Sequence, residues 1–443
     1  MSPASPTRRQ FLRTVSGAAL AAPFLHVPLS AQRRVRHASI GAAGQAFYDI
    51  TQFAKHPAFE LVAVADVDLC RVNRVLQEFP TVRVYQDWRE LLKKEARTLD
   101  TVSVSTPDHM HAIAAMDAMR RRKHVYVQKP LAQTLRETRL LTEFARRQGL
   151  VTQMGIQTSS TVPQRYGEWL VRSGVVGKIR EVHSFSDKNW GDDAPLAPEE
   201  SPVPPTLDWN EWLGVSETRP YRHGAYHPGQ WRRRVGFGTG TLGDMGCHIY
   251  SPPYRALELT WPTRITSHGP APTDESWATR AKVHLTYPGT QYTAGPTIDA
   301  WWYDSGELPP ATVREPVGDR LPAQGSIFVG TDGIIVLPHG RPDPFVLPEA
   351  RSATLEKPEI PERDHYAEFL EAVLAGGSTP CSANFDYAGP LTESVLLGNV
   401  AARFPGEPLA FDGRALAFTD KPEANRYLTR EYRKGWKLKG IEA

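Results

Sequence analysis

Cysteine is scarce: Cys70, Cys247 and Cys381 are the only three in 443 residues. Thiols so few and so widely spaced build neither a disulfide framework nor a CxxC metal site, so a fold stapled by oxidation is excluded. An excess of one charge is lacking too. The 52 basic residues face 49 acidic ones, and Arg8, Arg9 and Arg13 account for the net +3 within an N-terminal stretch free of acids. The near-neutral body has no electrostatic footprint for nucleic acid, and no such partner is expected. The run Arg232-Arg233-Arg234 is the local exception; it reads as a solvated or paired loop, with an anionic ligand as the lesser alternative. Long apolar runs are missing as well. The weakly apolar stretch 15–28 falls short of the roughly 20 residues that a spanning helix needs.

Proline, by contrast, is abundant. The 38 prolines exceed the usual share of about 5%, and they gather at 195–228 and 309–361, which read as long, fixed surface loops. A chain that is 40% hydrophobic and 23% charged has ordinary globular composition, and its length suffices for two cores.

Residues 1–31 stand apart from the fold. A polar start leads to Thr7-Arg8-Arg9-Gln10-Phe11-Leu12-Arg13, then to the apolar stretch, then to Leu29-Ser30-Ala31. This order resembles a twin-arginine signal. It implies export of a folded protein to the periplasm, tethered to the membrane only if the signal stays uncleaved, with no integral span after processing.

From residue 35 short apolar runs alternate with amphipathic stretches of helical length. Strands are expected at 35–41, 61–66, 82–85, 101–105, 124–128 and 150–154, with helices around 47–55, 69–78, 88–94, 109–121 and 135–147. Such alternation predicts an α/β fold, a parallel sheet covered on both faces, and ligands bind such sheets beyond the carboxyl ends of the strands. The first strand runs into Gly41-Ala42-Ala43-Gly44-Gln45-Ala46. Gly41 suits the tight bend of a GxGxxG turn, Ala43 stands at the second glycine, and Ala46 is a small third residue. The second strand ends at Asp66, about 20 residues on, where a carboxylate accepts ribose hydroxyls and repels a 2′-phosphate. The pattern predicts a Rossmann domain over 33–155 that binds NAD in preference to NADP, with Arg71 leaving the phosphorylated form open.

Ser105-Thr106-Pro107-Asp108-His109-Met110-His111, then Gln128-Lys129-Pro130, then Gly243-Asp244-Met245-Gly246-Cys247-His248 resemble the Gfo/Idh/MocA oxidoreductases. The resemblance implies that Thr106, Pro107, His109 and His111 line the nicotinamide side, that Gln128 and Lys129 close the fifth strand, and that Asp244 and His248 face the substrate. Where the family carries a glutamate before the lysine, this chain has Gln128. Read physically, Asp244 and His248 share one helix face at i and i+4. The imidazole can take a hydroxyl proton, and Lys129 can polarise the reacting oxygen. Lys129, Asp244 and His248 are the candidate catalytic residues. No metal is expected, because Cys247 would lie on a different side of that helix.

Past Gln157 the periodicity changes. Over 156–443 a helix at 162–173, a strand at 179–187, alternating stretches at 281–287, 291–294, 298–303 and 326–337, and helices at 362–375 and 388–402 predict an α+β domain. Its sheet is expected to be large, open and mainly antiparallel. Aromatic residues crowd the connection after the strand at 179–187, and aromatic platforms flanked by polar groups suit saccharides. Gln157, Trp190, Tyr226 and Trp231 are the candidate substrate contacts. The expected function is hydride transfer between a sugar or glycoside hydroxyl and tightly bound NAD, in a homodimer or homotetramer. Two rivals are an NAD-dependent glycosidase and a non-catalytic nucleotide- or sugar-binding relative.

Overall fold

The computed structural model describes residues 33–196 and 198–441, so the twin-arginine-like segment lies outside the described residues. Six strands, β1 (Val35–Ile40), β2 (Phe59–Ala65), β3 (Arg83–Tyr85), β4 (Thr101–Val104), β5 (His124–Gln128) and β6 (Thr152–Gly155), form one sheet in the order β3-β2-β1-β4-β5-β6. Every pairing in it is parallel. Both faces of this sheet are covered: β4 and β6 are buried throughout, their polar residues Thr101, Ser103, Thr152 and Gln153 included. The intervening helices are α1 (Gln45–Phe53), α2 (Asn73–Glu78), α3 (Trp88–Glu95), α4 (His111–Arg120) and α5 (Leu135–Gln148). Local chemistry sets their ends. Thr134 and Glu137 close a capping box on α5, and Gly149 ends it in the left-handed conformation.

After α6 (Val162–Ser173) a nine-stranded sheet begins with β7 (Ile179–Ser186) and continues with β8 (Arg264–Ser267), β9 (Ala281–Pro288) and β10 (Thr297–Asp304). It is completed by β11 (Gln324–Gly330), β12 (Ile334–Pro338), β13 (Phe345–Leu347), β14 (Leu409–Asp412) and β15 (Ala417–Phe418), in the order β13-β12-β11-β7-β10-β9-β8-β14-β15. Only the β7–β10 pairing is parallel. The remaining helices are α7 (Trp209–Leu213), α8 (Gly240–Ala256), α9 (Ala311–Arg314), α10 (His365–Leu374) and α11 (Phe385–Ala401). Among the described residues no helix is long and apolar enough to cross a membrane.

Three expectations are corrected. The strand expected at 291–294 is a turn, tied to β7 by a single bridge from Thr293 to Ile179; Thr293 Oγ1 accepts from Thr290 N at 2.8 Å and holds the chain out of the ladder. The stretch 326–337 is a hairpin of β11 and β12, broken at Thr331-Asp332-Gly333. The proline-rich region 309–361 is a surface loop only in part, since it holds β11, β12 and β13. Helix α10 starts at His365 because Asp364 accepts the amides of Tyr366 and Ala367. It packs back on the first sheet: Tyr366, Phe369, Leu370 and Val373 join Val35, Phe53, Tyr126 and Val151 in one cluster.

Candidate active site

The first β-to-α turn opens the site. Gly41 has φ +107°, and a Cβ there would lie 2.6 Å from the carbonyl oxygen of Ser105, so no other residue fits. Gly44 has φ +57° with open space around its Cβ position, and no side chain caps the first amides of α1. Open amides at a helix N-terminus form a cradle for a phosphate. This turn borders a cleft, open to solvent, that Ala43, Gly44, Gln45, Asp66, Thr106 and Pro107 line on one side. Asp66 stands just past β2. It accepts the amides of Ala42 at 3.0 Å and Asp68 at 3.1 Å, and burial pushes its carboxyl up. The remaining acceptor sites of Asp66 suit ribose hydroxyls, so the turn and the carboxylate together fit a dinucleotide.

The other wall comes from the connection between β7 and α8, which crosses the cleft as a strap. Trp212, His227, Pro228, Trp231 and Arg232 line the cavity. Aromatic packing keeps this segment rigid: Trp209 and Trp212 stack at 4.7 Å, and Tyr226 and Phe237 complete the cluster. Hydrogen bonds fasten it to the first sheet beside Asp66. Asp208 N donates to Val67 O at 2.8 Å and Leu69 N to Thr206 O at 3.0 Å. Asp68 accepts from Thr206 Oγ1 at 2.8 Å and pairs with His227 Nε2 at 2.9 Å, while Arg89 pairs with Glu211 at 2.6 Å.

At the inner end of the cleft the two halves meet. Lys129, directly after β5, puts Nζ 2.5 Å from Asp244 Oδ1 on α8. Trp190 Nε1 donates to Asp244 Oδ2 at 2.8 Å. Burial opposes ionisation of Asp244, yet Lys129, then Arg232 and Lys188, hold its carboxyl well below the usual carboxylate range. One helical turn on, His248 has Nδ1 3.4 Å from Thr158 Oγ1, and its ring lies 5.6 Å from that of His339. Burial, reinforced by the charge of Lys129 and by His339, pushes the His248 imidazole well below its ordinary pKa. It is therefore neutral near pH 7 and able to accept a proton.

Several expected contacts take other places. His109 and His111 do not line the cleft, because the short 3₁₀ turn Asp108–Met110 directs them inward. His109 is buried against Trp212 and Phe237, with Nε2 3.0 Å from Trp212 O. His111 spans Pro130 O at 2.8 Å and Thr106 O at 2.9 Å, tying the two strand-tip loops together. Asp108 and Met110 face the cleft instead. Ala46 is buried under the turn as packing. Tyr226 is fully buried in the strap cluster, and Gln157 donates to Tyr126 and Tyr366 at 3.1 Å; neither lines the cleft. Trp190 orients Asp244 rather than offering a bare platform, since Arg232 lies 5.4 Å from its ring. Cys247 points away to Thr392, 3.8 Å off.

Residues that the sequence pattern did not single out complete the site: Lys188, His339, Thr158 and Asp49. Asp49, fully buried on α1, accepts from Gln45 at 2.8 Å, Ser105 at 2.7 Å, Gln128 at 2.9 Å and Tyr366 at 2.7 Å. Its place on the inner face of α1, four residues after Gln45, was the one available signal.

Residues 35–156 match the oxidoreductase family model with an NAD-binding Rossmann fold, and 170–293 match the model of that family's C-terminal alpha/beta domain. The chain belongs to the Gfo/Idh/MocA family. It is 32% identical over 127 residues to the 1-carboxy-3-chloro-3,4-dihydroxycyclohexa-1,5-diene dehydrogenase of Comamonas testosteroni, covering 29% of this chain and 32% of that protein. To the alpha-N-acetylgalactosaminidase of Shewanella oneidensis it is 32% identical over 160 residues, 33% of each. The chain thus matches about a third of the length of these curated relatives. The fold of this family member is shared with the WlbA dehydrogenase of Bordetella pertussis, solved with NADH and UDP-GlcNAcA. That match has TM-score 0.58 and 14% identity and covers 86% of this chain and 99% of that one.

Proposed function

We propose that this Gfo/Idh/MocA protein transfers hydride between a CH–OH carbon of a saccharide or glycoside and tightly held NAD. The observation that carries the reading is the Lys129–Asp244 pair in the cleft that the first β-to-α turn borders, with His248 one turn beyond. A bound nicotinamide would supply the hydride acceptor. In the oxidising direction the electron pair of the C–H bond leaves with the hydride. The hydroxyl proton passes to His248 Nε2, the nitrogen left free when Nδ1 faces Thr158. Lys129 stabilises the oxygen as it becomes a carbonyl, and Asp244 holds Lys129 in place. Asp66 supports NAD over NADP by repelling a 2′-phosphate. The strap supports tight retention, because its fastenings close the cleft beside Asp66.

The test is to denature purified protein and identify the released nucleotide, before and after incubation with a glycan library. NAD before and NADH after one glycan is the expected result. Release of no nicotinamide nucleotide, or of one whose redox state no glycan changes, would overturn the reading. A second reading, an NAD-dependent glycosidase, draws on the same strap and on the likeness to the Shewanella enzyme. In that course the oxidised sugar loses its aglycone by elimination, water adds across the double bond so formed, and the ketone is reduced again; a retained nicotinamide would supply both the hydride acceptor and the hydride donor. Aglycone release without net reduction of the nucleotide identifies that course. Export by the twin-arginine route and pairing of subunits through the second sheet belong to the same proposal.

A further inference from the structure

The carboxylate of Asp244 is surrounded by more positive charge than it can neutralise. Lys129 Nζ lies 2.5 Å from Oδ1, Arg232 Nε 3.4 Å from Oδ1, and Lys188 Nζ 3.9 Å from Oδ2. Three cations therefore share one acid. The other nearby carboxyl, Asp108, gives Oδ2 to Thr239 at 2.6 Å; burial pushes it up while Lys129 and Arg232 pull it back, so at most two acids face three cations. Arg232 gives only its Nε to Asp244 while its guanidinium stacks 4.3 Å from the Trp231 ring. Lys188 is 45% exposed. Arg233, 6.0 Å from the Trp190 ring, has a buried Nε without a partner. His339 Nδ1 is buried and unpartnered as well, and burial, then Lys188 and Lys129, push that ring down to about 4.

A neutral sugar gives this arrangement nothing in return. Surplus cations weaken His248 as a base and repel an oxidised nicotinamide, so they raise the energy of the loaded site unless a ligand brings negative charge. We infer that the saccharide carries an acidic group, a carboxylate or a sulfate ester, held between Lys188 and Arg232. This rests on the oxidoreductase reading above.

Single-turnover reduction of the bound nucleotide tests this with matched acidic and neutral pairs: glucuronide and glucoside, galacturonide and galactoside, 6-sulfo-N-acetylglucosaminide and N-acetylglucosaminide. In at least one pair the acidic member should react with a specificity at least ~10-fold higher at low salt, a preference that shrinks several-fold at high salt. The pair that responds identifies the carboxylate or the sulfate. In Lys188→Gln and in Arg232→Gln the preference should fall about ten-fold, and in Lys188→Gln, which lies outside the cleft lining, nucleotide content should stay at the wild-type level. Reduction by neutral members at equal or greater rates would overturn the charge inference and leave the oxidoreductase reading standing. So would loss of nucleotide from Arg232→Gln with an unchanged preference. No reduction by any saccharide, with nicotinamide nucleotide bound, would overturn both.

Discussion

Gln128 stands where the family carries a glutamate, and in this structure it faces a buried carboxyl group, that of Asp49. Its amide donates to both oxygens of Asp49, at 3.0 and 2.9 Å, behind the cofactor turn. Burial raises the Asp49 carboxyl while Tyr366, Ser105, Gln128 and Gln45 pull it back. A glutamate at 128 would set two carboxyls against each other in a closed space, and one would have to take up a proton. Gln128→Glu should therefore lower stability by about 3 kcal/mol, read as a fall in the thermal midpoint, and Asp49→Asn in the same chain should restore most of it. At the reacting end, His248→Ala and Lys129→Ala should each lower single-turnover reduction by about 10²- to 10⁴-fold with nucleotide still bound. Unchanged rates in both would refute their catalytic roles. Lys129, Asp244 and His248 were legible because they sit in contiguous motifs. Lys188 and His339 were not, since they follow β7 and β12, strands far apart in sequence that only the second sheet brings together.

Among the elements, the strap and helix α6 make separate claims. The strap depends on Asp68, which takes Thr206 on one oxygen and His227 on the other. Asp68→Ala should loosen it, so that prolonged dialysis lowers the nucleotide content from about one per chain to below about half. Full retention in that variant would show that the strap does not hold the cofactor. On α6, burial pushes the Glu168 carboxyl up to about 7 against the pull of Arg255 and Arg172. Between pH 4.5 and 7 the folded chain keeps a proton that the unfolded chain releases, so this group's contribution to stability falls as pH rises through that window. Glu168→Gln does not titrate. Relative to wild type it should gain roughly 3 kcal/mol by pH 8 and lose that advantage below pH 4.5, measured as the difference in unfolding free energy across pH. The strap's aromatic residues were visible in the sequence, but their role was not. Tyr226 and Trp212 pack on one another, and composition alone cannot separate a pinned loop from a sugar platform.

For the molecule as a whole, alternating strands and helices made the first sheet legible nearly residue by residue. The second sheet was legible at β7 and where strands alternate cleanly, as at β9 and β10. The hairpin of β11 and β12 looked continuous because its turn, Thr331-Asp332-Gly333, is short, and β14 and β15 are too short to show a period. Arg8 and Arg9 make a claim about the entire chain. Changing both to lysine should leave the protein inside the cell, measured by fractionation and immunoblotting, and normal export of that variant would refute the twin-arginine route. The hydroxyl of Tyr366 reaches across 317 positions to Asp49. The floor beneath the cofactor turn is therefore unfinished until a ribosome has released nearly all of the polypeptide. A shortened product ending ahead of His365 would emerge with that acid short of a donor.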